Sequence, residues 1–196
     1  MNSREQILAR VRGNAPSPRP LPAIPTFDEG SVGTLETFRA SLLRMGGKFV
    51  EPSDSGDVEA QVRTLFPDAK VIASAAAEVR GDRPLARVAT PADLQDVDVG
   101  VVRAAFGVAE TGSVWLSEQE FEVNALGFLS QHLVVLLDPS TIVSNMHRAY
   151  QDPRFTQARY CVFMTGPSAT ADIEGVLIHG AQGIRSLTVI PVSPSA

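Results

Sequence analysis

The chain has 196 residues, 44% of them hydrophobic and 20% charged, which suits one globular domain with a short extension. Its net charge of −5 and the lack of a lysine- or arginine-rich run argue against nucleic-acid binding, because phosphate neutralisation requires a basic patch. No apolar run approaches a membrane span, and the first residues lack the apolar core of a signal peptide, so we expect a cytoplasmic protein. The single cysteine, Cys161, cannot form an internal disulfide and is expected to be buried.

The first part of the sequence is predicted to form an arm. A capping-box pattern precedes three apolar residues at helical spacing, so we expect a short amphipathic helix over residues 3–12. Five prolines between residues 14 and 25 then favour an extended, semi-rigid segment. The helix either packs on its own domain or reaches a second subunit or partner, such as another copy of the chain. We therefore predict an arm over residues 1–30 and a single α/β domain over residues 31–196.

Short strand and helix patterns alternate along the rest of the chain, which favours an α/β fold with a largely parallel sheet covered by helices. The run 132–138 is the most apolar in the sequence and is expected to be a central buried strand. The other predicted strands are 48–51, 70–74, 86–90, 99–104, 159–165 and 186–192. The predicted helices are 35–45, 58–65, 91–94, 124–129, 139–150 and 170–180.

The triplet Glu110-Thr111-Gly112 lies between two apolar runs, which indicates a turn or hairpin inserted into the α/β pattern. One interpretation makes Glu110 a partly desolvated acid or nucleophile. The other is a tight turn in which Gly112 has a positive φ and Thr111 bonds locally.

The segment 166–174 follows an apolar run and has the pattern of a loop leading into a helix. Ser168, Thr170 and the backbone N–H groups could hold a polar ligand there. Alternatively, the segment only caps a helix, with Asp172 and Glu174 complementing its dipole. Two carboxylates would repel an anion, so a hydroxyl-bearing ligand or a protein partner fits the charge pattern better.

The three histidines, His132, His147 and His179, form no close pair, so the sequence predicts no metal site and a structural role for each. Dinucleotide-binding, phosphate-loop and serine-hydrolase motifs are absent from the sequence. Trp115 lies in an alternating apolar stretch and is expected in the core.

The turn 107–112 followed by Ser-Val-Trp-Leu, together with the segment 166–174 and a closing apolar strand, resembles the lactate-utilisation (LUD) domain family, closest to its small LutC/YkgG type. The resemblance covers residues 34–192, and the leading helix and proline-rich arm are also similar. It implies a sugar-isomerase/CoA-transferase-like fold (NagB/RpiA/CoA transferase-like). By the family pattern the site is marked by Glu110, Thr111, Gly112, Gly166, Ser168, Thr170, Asp172 and Glu174.

The resemblance also implies membership of a three-component bacterial system that oxidises L-lactate to pyruvate, with iron–sulfur clusters in partner subunits and none on this chain. We therefore expect an accessory or ligand-binding component of that system. The alternatives are a stand-alone enzyme that acts on a small acid, CoA thioester or sugar phosphate through Glu110, and a regulatory or scaffold protein. The sequence departs from the family at Ile184, where a proline often stands.

Overall fold

Short helices and strands alternate in the computed structural model, which describes residues 2–17, 19–25, 27, 33–173, 175–180 and 182–193. The helices are α1 (Ser3–Gly13), α2 (Leu35–Arg44), α3 (Val58–Leu65), α4 (Glu118–Phe121), α5 (Leu126–Leu129), α6 (Met146–Ala149) and α7 (Arg154–Gln157). The strands are β1 (Lys48–Phe49), β2 (Ile72–Ser74), β3 (Val99–Arg103), β4 (Phe106–Val108), β5 (Ser113–Ser117), β6 (His132–Leu137), β7 (Ile142–Val143), β8 (Cys161–Met164), β9 (Ala169–Ile173), β10 (Val176–His179) and β11 (Ser186–Pro191). None of the helices in these ranges is long and apolar enough to cross a membrane.

A parallel sheet in the order β1-β11-β6-β3-β2 lies at the centre of the domain, which confirms the predicted fold class. The apolar strand β6 occupies the middle position, with Val135 paired to Val102 on one side and to Val189 on the other. All five residues that follow His132 in β6 are fully buried. Alternate residues of β6 enter different apolar clusters, because successive side chains of a strand point to opposite faces.

A second sheet has the strand order β7-β4-β5-β8. In the sequence, β4 and β5 precede the central strand β6, and β7 and β8 follow it. Its β4–β5 pair is antiparallel, which confirms the hairpin predicted around residues 110–112. Val114 and Leu116 of β5 join the cluster beside the central sheet, whereas Trp115 faces the other side. Trp115 is 1% exposed and stacks on Phe106 with 5.3 Å between ring centroids, so the expected core role of Trp115 is confirmed.

The helix predicted over residues 170–180 is wrong, because β9 and β10 form an antiparallel hairpin there. Apolar and β-branched residues on both sides favour strands, and Gly175 has the positive φ of 71° that a two-residue turn requires. The segment 166–174 therefore leads into a strand and not into the positive end of a helix dipole. His179 correspondingly ends a strand and not a helix.

Two further predictions in the domain are wrong. Residues 139–150 form a 3₁₀ turn, then β7, then the one-turn helix α6, because the β-branched pair of β7 joins β4 in the second sheet. Residues 86–90 form no strand, since a 3₁₀ turn spans Leu85–Arg87. Cys161 lies in the edge strand β8 and is half-buried, not fully buried as expected.

Helix α1 forms as predicted, but its amino-terminal cap is Asn2. The Asn2 side chain accepts from the Glu5 N–H at 2.9 Å, and the Glu5 carboxylate accepts from the Asn2 N–H at 3.0 Å. No described residue of α1 is buried. The arm first meets the domain near Phe27, whose ring centroid lies 4.7 Å from that of His147 in α6.

The carboxyl end of α2 is held between the two sequence motifs by close backbone contacts. Gly112 has φ 67° and packs against the Leu42 backbone, which leaves no room for a Cβ atom. Gly166 has φ 65° and packs in the same way against the Met45 carbonyl. Because Leu42 is fully buried, these two contacts fix the helix against both the second sheet and the core.

We expect Gly112→Ala to destabilise the fold far more than Gly56→Ala. The two glycines have nearly the same φ, 67° and 69°, but a Cβ at Gly56 would meet nothing within 4 Å. Left-handed strain of about 1 kcal/mol applies to both, and overpacking adds about 1–3 kcal/mol at Gly112 only. Denaturant unfolding measures the free energy of unfolding of both variants. Equal losses of stability would contradict the close contact of Gly112 with the Leu42 backbone.

His132, at the amino end of β6, is expected to make the stability of the fold depend on pH. Burial, together with the charges of Lys48 and Arg185, lowers the pKa of His132 below its ordinary value of 6.5. The unfolded chain therefore binds more protons than the folded one below that pH, and stability falls as the medium becomes more acidic. We expect His132→Asn to flatten this part of the curve of melting temperature against pH. An unchanged slope would assign the effect to other groups.

Candidate functional site

The two sequence motifs lie side by side at one end of the second sheet. The β5–β8 register pairs Val114 with Met164, so Ser113 stands opposite Thr165, and their hydroxyl groups hydrogen-bond. Gly112 directly precedes Ser113, Gly166 directly follows Thr165, and both glycines pack on the carboxyl end of α2. The structure thus brings the predicted residues Gly112 and Gly166 together, although more than fifty positions separate them in the sequence.

Glu110 anchors the turn to α6. Its side chain is exposed, and one carboxylate oxygen accepts from the Met146 N–H, at the first position of α6, at 3.0 Å. The Glu110 N–H donates to the Ser144 carbonyl at 3.0 Å. A carboxylate at a helix amino terminus is stabilised by the N–H groups there, which is a structural use of its charge. The desolvation expected for an acid or nucleophile is therefore not found.

Thr111 behaves differently from the sequence expectation. Gly112 adopts the positive φ of a tight turn, so that part of the interpretation is confirmed. The Thr111 hydroxyl, however, is buried and makes no hydrogen bond within the part of the chain that the structure describes. The expected local hydrogen bond of Thr111 is therefore wrong.

A cleft of about 500 Å³ opens beside the second motif, between α5, β8 and the segment that precedes β11. Gly166 and Ser168 line it, as do Phe128 and Leu129, which are each 39% exposed. The remaining lining residues are Gly127, Val162, Phe163, Met164, Thr165, Pro167, Gln182, Gly183 and Ile184. None of these side chains is charged, so the described walls of the cleft suit an apolar or uncharged group.

Ser168 joins the mouth of the cleft to the base of the hairpin. Its N–H donates to the Ile184 carbonyl at 2.9 Å, and its carbonyl accepts from the Gly180 N–H at 2.7 Å. Its hydroxyl donates to the Gln182 carbonyl. Ile184 is 3% exposed and belongs to the main core cluster, so its apolar side chain packs in the interior at the position where the family resemblance led us to expect proline.

The remaining predicted residues lie farther along the hairpin. Thr170 pairs with Ile178 across β9 and β10, and the backbone of Asp172 belongs to β9. Glu174 lies outside the described residues. The predicted site residues that the structure describes therefore divide among the turn of Glu110 to Gly112, the cleft and the hairpin.

Sequence reasoning missed the apolar walls of the cleft. These walls come from α5 and β8, whose apolar sequences are typical of ordinary buried elements. The exposure of Phe128 and Leu129 at the end of α5 identifies these walls in the structure, and the sequence contains no corresponding signal. Across residues that the structure describes, no group of three or more histidine, cysteine or carboxylate side chains could hold a metal ion.

The chain is similar in sequence to curated proteins. The curated protein named lactate utilization protein C of Anoxybacillus flavithermus is 33% identical over 97 residues, which cover 49% of this chain and 44% of that protein. The protein of the same name from Bacillus pumilus is 34% identical over 89 residues, covering 42% and 37%. The chain thus spans less than half the length of these relatives.

A crystal structure of a DUF162 family protein from Deinococcus radiodurans has a similar fold. The TM-score is 0.61 at 19% identity, and the match covers 81% of this chain and 96% of that one. The sequence profile of the LUD domain matches residues 67–192, which is more than half of the chain and contains both motifs and all the described lining residues of the cleft. The chain therefore belongs to the LUD domain family.

Proposed function

We propose that this protein is a LutC-type, non-redox accessory component of a bacterial iron–sulfur system that oxidises L-lactate to pyruvate. Membership of the LUD family and the names of the relatives support the link to lactate utilisation. The single cysteine of the sequence cannot supply the thiolates that an iron–sulfur cluster requires, so the clusters belong to partner subunits. The uncharged apolar cleft beside the second motif is the observation that carries the accessory role.

The lining of the cleft does not suit lactate itself. A buried carboxylate requires a cation or several hydrogen-bond donors, because the charged form loses its hydration on burial. The described lining offers apolar side chains with Thr165, Ser168 and Gln182, of which the first two already hydrogen-bond within the protein. An apolar segment of a partner subunit is the occupant that this surface fits best.

The geometry gives little support to a stand-alone enzyme based on Glu110. The carboxylate is exposed, accepts from the Met146 N–H and lies outside the lining of the cleft. A nucleophile or general base needs a substrate pocket next to its reactive oxygen. We accordingly expect Glu110→Gln to leave growth on L-lactate unchanged, and a loss of growth in a folded variant would contradict this.

We expect Leu129→Ser to reduce growth on L-lactate severalfold when it replaces the wild-type gene in the source bacterium. The substitution removes apolar surface from the mouth of the cleft, and each buried leucine contributes about 1.5–3 kcal/mol to such a contact. The matched control is Leu43→Ser on α2, which is 49% exposed and lies outside the cleft. The two measurements are the growth rate on L-lactate and co-purification with the proposed iron–sulfur partner subunits.

The control variant should retain both growth and co-purification. If deletion of the whole gene leaves growth on L-lactate intact, the accessory role is wrong. If Leu129→Ser and Leu43→Ser behave alike while the deletion abolishes growth, the role stands but the cleft is not the contact surface.

A further inference from the structure

A polar cavity of about 290 Å³ lies at the amino ends of β6 and β11, where His132 and Arg185 contribute to its lining. The cavity shares no lining residue with the cleft described above. Ligands of open parallel sheets usually bind at the carboxyl ends of the strands. This cavity is therefore separate both from the cleft and from the usual ligand position of an α/β fold.

The imidazole of His132 is held in this cavity by two contacts. Its Nδ1 lies 2.8 Å from the Ser186 hydroxyl oxygen, on the neighbouring strand β11. Its ring centroid lies 5.0 Å from that of Phe66, which also lines the cavity. When the Ser186 hydroxyl donates to Nδ1, the neutral ring carries its proton on Nε2. Nε2 has no hydrogen-bond partner among the described residues, so it is available to donate to a ligand.

Two cationic side chains bring positive charge to the same place. Lys48 pairs with Thr188 in the β1–β11 register, and Ser186 lies two residues before Thr188 in β11. Paired and alternate residues of a sheet share a face, so Lys48 lies on the face that carries Ser186 and His132. Arg185 lines the cavity directly. Neither cation forms an ion pair within the part of the chain that the structure describes.

The two acidic residues of the lining oppose an anion only weakly. Asp98 uses one carboxylate oxygen to accept from the Lys70 and Val71 N–H groups, at 2.7 and 3.0 Å. Hydrogen bonds of this kind stabilise the carboxylate and compensate part of its charge. Asp68 is exposed, so water and salt screen its charge.

The charged groups around His132 leave a positive potential at its imidazole. Burial is the largest cause of the lowered pKa of His132, and the charges of Lys48 and Arg185 follow. Each of these two cations lowers the pKa by more than Asp98 raises it. An anion bound beside the ring offsets this imbalance and stabilises the protonated imidazole.

From these observations we propose that the cavity binds a small anion through a carboxylate or phosphate group. The guanidinium of Arg185 can donate two parallel hydrogen bonds to either group. His132 adds the Nε2 donor, and Lys48 adds a second positive charge. The volume of about 290 Å³ is near the lower limit for small-molecule sites, so the ligand has few heavy atoms. The proposal does not depend on the accessory function, because the cleft is a separate surface.

Proton NMR of the purified chain tests the proposal by following its three histidines through a pH titration. The probes are sodium phosphate, sodium acetate and sodium pyruvate, each compared with sodium chloride at equal ionic strength. We expect a saturating probe to raise the pKa of His132 by roughly one unit, because a bound anion favours the imidazolium. Half-saturation below about 1 mM separates a formed site from loose attraction to surface cations. The signals of His147 and His179, which lie outside the lining, should not respond.

The probes distinguish the two ligand groups. A response to acetate and pyruvate supports a carboxylate ligand, and a response to phosphate alone supports a phosphate ligand. The variant His132→Asn assigns the His132 signal among the three.

Two substitutions test the cations. Arg185→Gln should weaken probe binding roughly tenfold or more, because it removes a charge-assisted pair of hydrogen bonds. Lys48→Gln should weaken it by less, and it leaves the start of β11 untouched. The matched control is Arg159→Gln, which removes the same charge at an exposed position outside the cavity and should bind the probes like the wild type. Circular dichroism establishes that each variant is folded.

Two results would overturn the proposal. One is a His132 signal that responds to the three probes no more than to chloride. The other is equal probe binding by the Arg185→Gln, Lys48→Gln and Arg159→Gln variants. These measurements use the purified chain alone, so their outcome is separate from that of the lactate growth experiment.

Discussion

The contact between the carboxyl end of α2 and two left-handed glycines is the constraint on which the arrangement of both motifs depends. Gly112 and Gly166 approach the helix backbone so closely that any side chain would collide with it. Since α2 also places Phe38 and Leu42 in the main core, the helix fixes the second sheet relative to the central one. The glycines of the two motifs thus have a steric purpose that is separate from ligand binding.

This steric purpose changes how the motifs relate to function. Residues that mark the family need not touch a substrate when several of them position a helix, a turn or the base of a hairpin. Glu110 holds α6, and Ser168 holds the loop that precedes β11. Two exposed features adjoin the second motif. One is the uncharged cleft, and the other is the β9–β10 hairpin, which pairs with neither of the larger sheets. Among the described residues, neither surface brings an acid, a base and a nucleophile together around a pocket.

Patterns within one element predicted the fold well, and contacts between distant elements limited the prediction. The burial of β6 followed from its length and continuous apolar character alone. The predicted helix over 139–150 does begin with a 3₁₀ turn at Pro139, capped by Asp138, but β-pairing of Ile142 and Val143 with β4 ends the helical structure after that turn. In the hairpin, acidic residues after a serine suggested a helix start, whereas its β-branched residues and Gly175 selected strands.

The candidate site was harder to predict than the fold for the same reason. The walls of the cleft come from three separate segments, 127–129, 162–168 and 182–184, and only the middle one contains a recognisable motif. The turn at Glu110 could be identified, but the contact of its carboxylate with α6 could not, because that contact depends on the position of α6 in the fold.

The parallel pairing of β1 with β11 has a consequence for synthesis of the protein. Strand β11 lies between β1 and β6, yet it is translated long after both of them. Until residues 186–191 emerge from the ribosome, the apolar strand β6 has one open edge and β1 has no neighbour. Between the synthesis of residues 132–137 and that of residues 186–191, the nascent chain therefore presents a hydrophobic strand with an unpaired edge, which is the type of segment that chaperones shield.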